Sequence, residues 1–193
     1  FIASTDYFSW MFNGIRQFTA VTIVFAATAL MLNKRYKTLL VVILLAATIH
    51  QTALLMIPMV LIAQGKAWNK KTLFFIVMAI IGVLFVERFT SFLDVALAET
   101  QYKNVVSDWQ SWEDDGTNIL RVLVYSVPTI FAFIGKKRIK YEENKMIHFM
   151  TNMSIISTGL YVVSMFTSGI FIGRLPIYAS LYGYILLPWE IEH

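Results

Sequence analysis

Residues 38–64 read TLLVVILLAATIHQTALLMIPMVLIAQ, a stretch without a single Asp, Glu, Lys or Arg. Cations crowd both of its ends: Lys34, Arg35 and Lys37 precede it, and Lys66, Lys70 and Lys71 follow it. The rest of the chain is written the same way. It is 58% hydrophobic and 15% charged, with a mean hydropathy of +0.64, whereas soluble domains sit near ~45–50% apolar and ~25% charged. Residues 14–32 hold one cation, Arg16, near their start, and 146–173 hold only His148 among acidic and basic groups. Runs of this length can span the ~30 Å of a hydrocarbon core at ~1.5 Å per helical residue. The polar surface left over is too small to coat a globule. The expected fold is therefore all-α, a polytopic integral membrane protein with 1–193 as one transmembrane domain.

Five to six hydrophobic helical units are expected, at 14–32, 38–64, 72–86, 118–135, 146–172 and a more broken 175–189, with no internal repeat. Between the third and fourth lies the one long polar segment, 87–117. There Phe89, Phe92, Leu93, Ala96 and Leu97 recur at helical spacing, which predicts an amphipathic helix lying on the membrane surface, followed by a loop over 107–116. The absence of cysteine excludes disulfides and thiol chemistry. A formal charge of +4 and a pI near 9.3 do not imply nucleic acid, because the cations sit in short clusters beside hydrophobic runs. The first residues lack a basic n-region followed by an apolar h-region, so they do not form a signal peptide, and the chain fits a piece of something longer.

Loop charges orient the helices. Segment 87–117 carries Glu87, Asp94, Glu99, Asp108, Glu113, Asp114 and Asp115 against Arg88 and Lys103, and its poverty in bases points outward. The basic groups Lys136, Lys137, Arg138, Lys140 and Lys145, together with the two clusters flanking 38–64, belong inside. A single crossing cannot begin and end on one side, so 38–64 either folds back as a re-entrant hairpin or forms one long tilted helix whose flanking loop breaks the charge rule. The charges favour the hairpin, with the polar triplet His50, Gln51 and Thr52 at its apex. Each arm would reach only ~18–20 Å as a helix. An apex at membrane depth needs protein or water around it.

In that topology Arg16, His50, Arg121 and Arg174 all fall toward the outer face. Charges within membrane segments are costly and mark functional candidates, although an arginine near a helix end can also snorkel to the interface. Three guanidinium forks beside a histidine suit bidentate capture of a phosphate or pyrophosphate. His50, with an unperturbed pKa near operating pH, is a candidate general base, or else a hydrogen-bonded structural group. Gln17 and Gln51 adjoin these residues as candidate substrate contacts. Tyr178 lies four residues after Arg174, on the same face if that stretch is helical. Trp109 and Trp112 could stack on sugar rings or anchor at the interface. Glu113, Asp114 and Asp115 read as solvated loop acids, His148 as structural, and Pro58, Pro128, Pro176 and Pro188 as kinks or breaks.

Asn13-Gly14-Ile15-Arg16-Gln17 at a helix start, Leu45-Ala46-Ala47 with His50 and Ala53-Leu54, then Gly173-Arg174-Leu175-Pro176-Ile177-Tyr178, and finally Leu186-Leu187-Pro188, together resemble the EpsG family of Wzy-type exopolysaccharide polymerases. The resemblance runs from Asn13 to Pro188 and places the chain in the C-terminal portion of longer members. Thr52 stands where serine is expected after the histidine, and a hydroxyl is kept. What the resemblance implies is a glycosyltransferase of the bacterial cytoplasmic (inner) membrane, with its site facing outside. It would join oligosaccharide repeat units carried on undecaprenyl pyrophosphate, with no cofactor or metal called for. Its implied partners are that lipid-linked oligosaccharide, membrane lipid and other polysaccharide-assembly membrane proteins, and not nucleic acid. Arg16, Arg121 and Arg174 would then neutralise the leaving pyrophosphate. A transporter or flippase of lipid-linked sugars could use the same arginines, but internal repeats and a midplane site are expected of one. A membrane acyltransferase could use His50 as its base.

Overall fold

The computed structural model describes residues 11–12, 14–85 and 116–192, and between them 88, 91, 92, 95, 96, 98, 99 and 103. Most of the expected surface helix, the acidic loop with Trp109 and Trp112, and Asn13 lie outside the described residues. Among those described, every regular element is helical. In chain order they are α1 (Ile15–Ala26), α2 (Thr28–Leu32), α3 (Tyr36–Ile49), a 3-10 turn (Gln51–Leu55), α4 (Met56–Ala63), α5 (Lys70–Leu84), α6 (Ile119–Ile134), α7 (Lys136–Tyr141), α8 (Lys145–Met165), a second 3-10 turn (Ile172–Arg174) and α9 (Ile177–Glu192). Three helices start on asparagine caps, whose side-chain oxygens accept otherwise orphaned backbone amides: Asn69 for α5, Asn118 for α6 and Asn144 for α8.

Of the two readings of 38–64, the structure has the one that folds back. His50 leaves the helical region, with φ −150° and ψ 115°, and the chain returns through the 3-10 turn into α4. Tyr36, Leu39 and Ile43 of α3 face Ile57, Val60 and Leu61 of α4 across one crevice of about 280 Å³. The end of the second arm is tied back to α2, where Gln64 Nε2 donates to the Met31 carbonyl at 2.7 Å.

Helix α8 is the axis, packed against α9, α6, α5 and α4. Its interior is polar as well as apolar: Thr151, Asn152, Ser154, Ser157 and Ser164 are buried along with Met150, Met153 and Ile156. Apolar side chains instead point outward elsewhere, among them Leu40, Leu44 and Leu45 of α3, Leu73, Phe74 and Ile80 of α5, and Leu120, Leu123 and Phe133 of α6. Tyr182 of α9, fully buried, joins the first helices to this axis. Its ring lies 5.0 Å from that of Phe25 and 5.4 Å from that of Phe149, and its hydroxyl lies 3.3 Å from Thr28 Oγ1.

Two expectations about the helical units change. Among the described residues only α8, with 21 residues, is long and apolar enough to cross a bilayer by itself; α1, α3, Gln51–Ala63 and α6 are shorter apolar helices. The unit 14–32 is divided at Ala27 into α1 and α2. Conversely, the stretch expected to be broken, 175–189, is mostly the continuous helix α9. Pro188 sits close enough to its end to remove only one late backbone bond.

The return loop of the hairpin is gripped by two residues one turn apart on α8. His148 accepts the Ala67 amide at Nδ1 (3.1 Å), while Nε2 meets the Glu142 carbonyl (2.9 Å), which makes the expected structural histidine a neutral clamp. Asn152, fully buried, accepts the Trp68 amide (3.1 Å) and donates to the carbonyls of Ala63 (2.9 Å) and Lys66 (3.1 Å). Replacing Asn152→Leu strands three backbone groups, that of Ala63 fully buried and those of Lys66 and Trp68 partly so. At ~1 kcal/mol per lost bond it should cost about 2–4 kcal/mol, measurable as a lowered Tm of the detergent-solubilised protein with its helicity retained.

Candidate functional site

At the end of the bundle away from that loop, three separated pieces of chain meet: the start of α1, the break at His50, and the second 3-10 turn leading into α9. Gln17 is buried at 4% exposure, and its Nε2 donates to the Arg174 carbonyl at 3.0 Å. The His50 amide still bonds Ala46 as the last turn of α3. The extended backbone then swings the ring clear of the helix, and Nδ1 lies 2.6 Å from Thr52 Oγ1. Thr52 Oγ1 in turn lies 3.1 Å from the hydroxyl of Tyr178, whose side chain is buried. The result is a relay of imidazole, hydroxyl and phenol that crosses from the hairpin to α9.

The positive charges of Arg16 and Arg174 both act on the half-buried imidazole. Both arginines are exposed. Arg174 closes the 3-10 turn and Tyr178 opens α9, so the two are brought close by a turn followed by a helix start rather than by one uninterrupted helix.

Close backbone approach holds this corner. A Cβ on Gly173 would fall 2.7 Å from Thr117 Oγ1, and Gly116, at φ +85°, lies so tightly on the end of α8 that a Cβ would meet the Met165 carbonyl at 2.5 Å. Only glycine combines that φ with that clearance. Thr117 bonds Ser164 twice, through its amide to the carbonyl (3.0 Å) and between hydroxyls (2.7 Å). The start of α6 is thereby fixed beside Gly173.

Arg121, one turn into α6, stands at this same end, but its charge acts on Tyr161, whose ring stacks on Tyr125 with centroids 4.6 Å apart. The structure thus gathers Arg16, Gln17, His50, Arg174 and Tyr178. Gln51 is exposed next to His50, and Arg121 stands within electrostatic reach of Tyr161. Thr52 was legible only as a hydroxyl near the histidine, and its bridging position emerges from the fold.

A family model matches residues 1–192, and its description is the EpsG family. The chain belongs to the EpsG family. No curated protein and no solved structure matches it. Within this EpsG-family chain the corner is built from side chains that donate hydrogen bonds or carry positive charge, and among the described residues no group of three or more His, Asp or Glu is placed to hold a metal. Gln17 carries no charge of its own here and fixes the backbone that presents Arg174. Gln17→Leu should leave that carbonyl unbonded and cost roughly 1–3 kcal/mol, visible as a fall in thermal midpoint.

Proposed function

We propose that this EpsG-family chain is an exopolysaccharide polymerase: a membrane glycosyltransferase that joins oligosaccharide repeats carried on a polyprenyl pyrophosphate, at the outer face of the cytoplasmic membrane. The observation that carries the reading is the meeting of the chain pieces that bear Arg16, His50 and Arg174, tied by the Gln17–Arg174 hydrogen bond and the His50–Thr52–Tyr178 relay. The family's association with polysaccharide polymerisation supports it. A bilayer setting is supported by the inverted distribution of side chains, with polar groups buried in α8 and large apolar ones exposed on α3, α5 and α6.

The chemistry follows from the geometry. An acceptor sugar hydroxyl attacks the anomeric carbon of the donor repeat, the bond from that carbon to the pyrophosphate oxygen breaks, and the pyrophosphate leaves with the electron pair. If Nδ1–H donates to Thr52, the lone pair on Nε2 is the one that receives the hydroxyl proton. Thr52 and Tyr178 hold that tautomer and ring orientation. Arg16 and Arg174 place planar pairs of donors where charge grows on the departing phosphate, stabilising the transition state electrostatically. Arg121 is assigned to the flank of the site, where a longer oligosaccharide or the lipid phosphate enters.

Orientation is checked by single cysteines. Residues Asn33 and Lys70 should be labelled from the cytoplasmic side alone and a cysteine within 108–116 from outside; opposite-side labelling of the first two would eliminate the inward basic end.

His50→Gln should leave the protein inserted while lowering turnover by the ~10²–10⁴-fold typical of a general base. Arg16→Lys and Arg174→Lys should each impair polymer formation although charge is kept, because an ammonium group cannot reproduce the guanidinium fork. Arg121→Lys should be milder. The assay is the ladder of polymer lengths formed from lipid-linked repeats, normalised to membrane level. Wild-type ladders from both Arg16→Lys and Arg174→Lys would remove the pyrophosphate site. Translocated but never lengthened repeats would make the protein a transporter.

A further inference from the structure

The end of the bundle opposite His50 holds a cavity of about 770 Å³, inside the ~300–1,000 Å³ range of small-ligand sites. Its wall is drawn from three stretches far apart in sequence: Asn33 and Lys34, then Gly65 and Lys66, then the turn from α7 into α8 with Lys140, Glu142, Glu143 and Lys145, together with Leu32 and with His148 and Phe149 of α8. Four ammonium groups, Lys34, Lys66, Lys140 and Lys145, share this one concavity. Two carboxylates accompany them, but Glu142 Oε1 is engaged by the amides of Glu143 (3.0 Å) and Asn144 (2.9 Å). Among the described residues no Lys–Glu ion pair neutralises the rim.

A basic inner face alone would be the ordinary flank of membrane helices, but here the wall is also rigid. His148 and Asn152 lock Ala63, Lys66, Ala67 and Trp68 in place. Lys34 is held at φ +54°, a left-handed conformation that lysine seldom adopts. An excess of cations, four lysines against two carboxylates, around a pre-formed hollow suits a phosphate ester, and the apolar side chains of Leu32 and Phe149 suit a group that enters beside hydrocarbon.

We infer that this cavity is a second anion site that binds a phosphate-bearing ligand at the cytoplasmic end, independent of the polymerase reading. An anionic phospholipid headgroup and a soluble phosphate ester share that chemistry, and two arms of one experiment separate them. Purified protein is reconstituted in nanodiscs of phosphatidylcholine with phosphatidylglycerol, and retained lipid is read by native mass spectrometry; in neutral detergent, thermal stability is followed against pyrophosphate at constant ionic strength. The triple variant Lys34→Gln, Lys66→Gln, Lys145→Gln is compared with Lys37→Gln, Lys70→Gln, Lys137→Gln, which removes equal charge from the same end outside the cavity.

Retention of phosphatidylglycerol, weakened about tenfold to a hundredfold by the cavity triple and little by the control triple, identifies a lipid site. The same pattern with pyrophosphate alone identifies a soluble phosphate. Equal loss in both triples, or no binding in either arm, overturns the proposal. Should the cavity triple fail to fold, the charge-conserving Lys34→Arg, Lys66→Arg, Lys145→Arg triple and the single Lys145→Gln variant decide. Full binding by the glutamine single with loss in the arginine triple would also overturn it.

Discussion

Doubling a charge-free segment back on itself creates two places where backbone polar groups lose their helical partners, the apex and the return loop, and each must be satisfied from elsewhere in the chain. The structure meets this constraint from α8 at the return loop and locally at the apex, where the His50 amide bonds Ala46 and the His50 carbonyl accepts the Ala53 amide. At the return loop, His148 and Asn152 supply four hydrogen bonds to the backbone of residues 63–68. At the apex, the break at His50 is tied through Thr52 to Tyr178. Without these partners α3 and α4 would have every reason to merge into one continuous helix, and His50 would sit on the wall of a rod instead of at a turn.

That arrangement explains why the candidate site lies where it does. An imidazole inside a helix points sideways among its neighbours; an imidazole at a helix break can face an opening. The break also brings His50 under the charges of Arg16 and Arg174. The latter is held by a hydrogen bond from Gln17 to its own carbonyl, so the same helix start that carries one arginine positions the other. In the proposed polymerase, preorganisation of this kind would let the charges act without a cost of ordering during reaction.

Charge is sorted along the bundle. Lysines from three separate stretches surround one cavity at the end of the return loop, Arg35 and Arg138 lie in the same basic clusters, and Arg16, Arg121 and Arg174 stand at the opposite end. Lysine, a compact point charge on a flexible stem, can serve a diffuse phosphate environment, whereas the planar arginine fork rewards a fixed bidentate geometry. Between the two ends, the apolar outward faces of α3, α5 and α6 form the surface that the proposed bilayer would cover.

Much of this was written in the sequence. Hydrophobic runs without charge determined an all-helical fold. Basic clusters at both ends of 38–64 favoured a reversal over one long tilted helix, because charge placement is set by residue identity, and the break at His50 is what decides between the two. Arg16, Gln17, His50, Arg174 and Tyr178 were legible as chemistry-bearing residues. What the sequence could not specify was which distant groups touch. Hydropathy treats Asn152 as one polar residue in an apolar helix, yet its amide is the keystone of a loop more than eighty positions away. Arg121 looks equivalent to the other arginines in sequence, and only the packing of α6 on α8 directs its charge to Tyr161. Thr52 becomes a bridge only once α9 carries Tyr178 to within 3.1 Å of it. Periodicity and charge report the environment of a segment one residue at a time, whereas hydrogen bonds between segments depend on relative positions that exist only after the helices have packed.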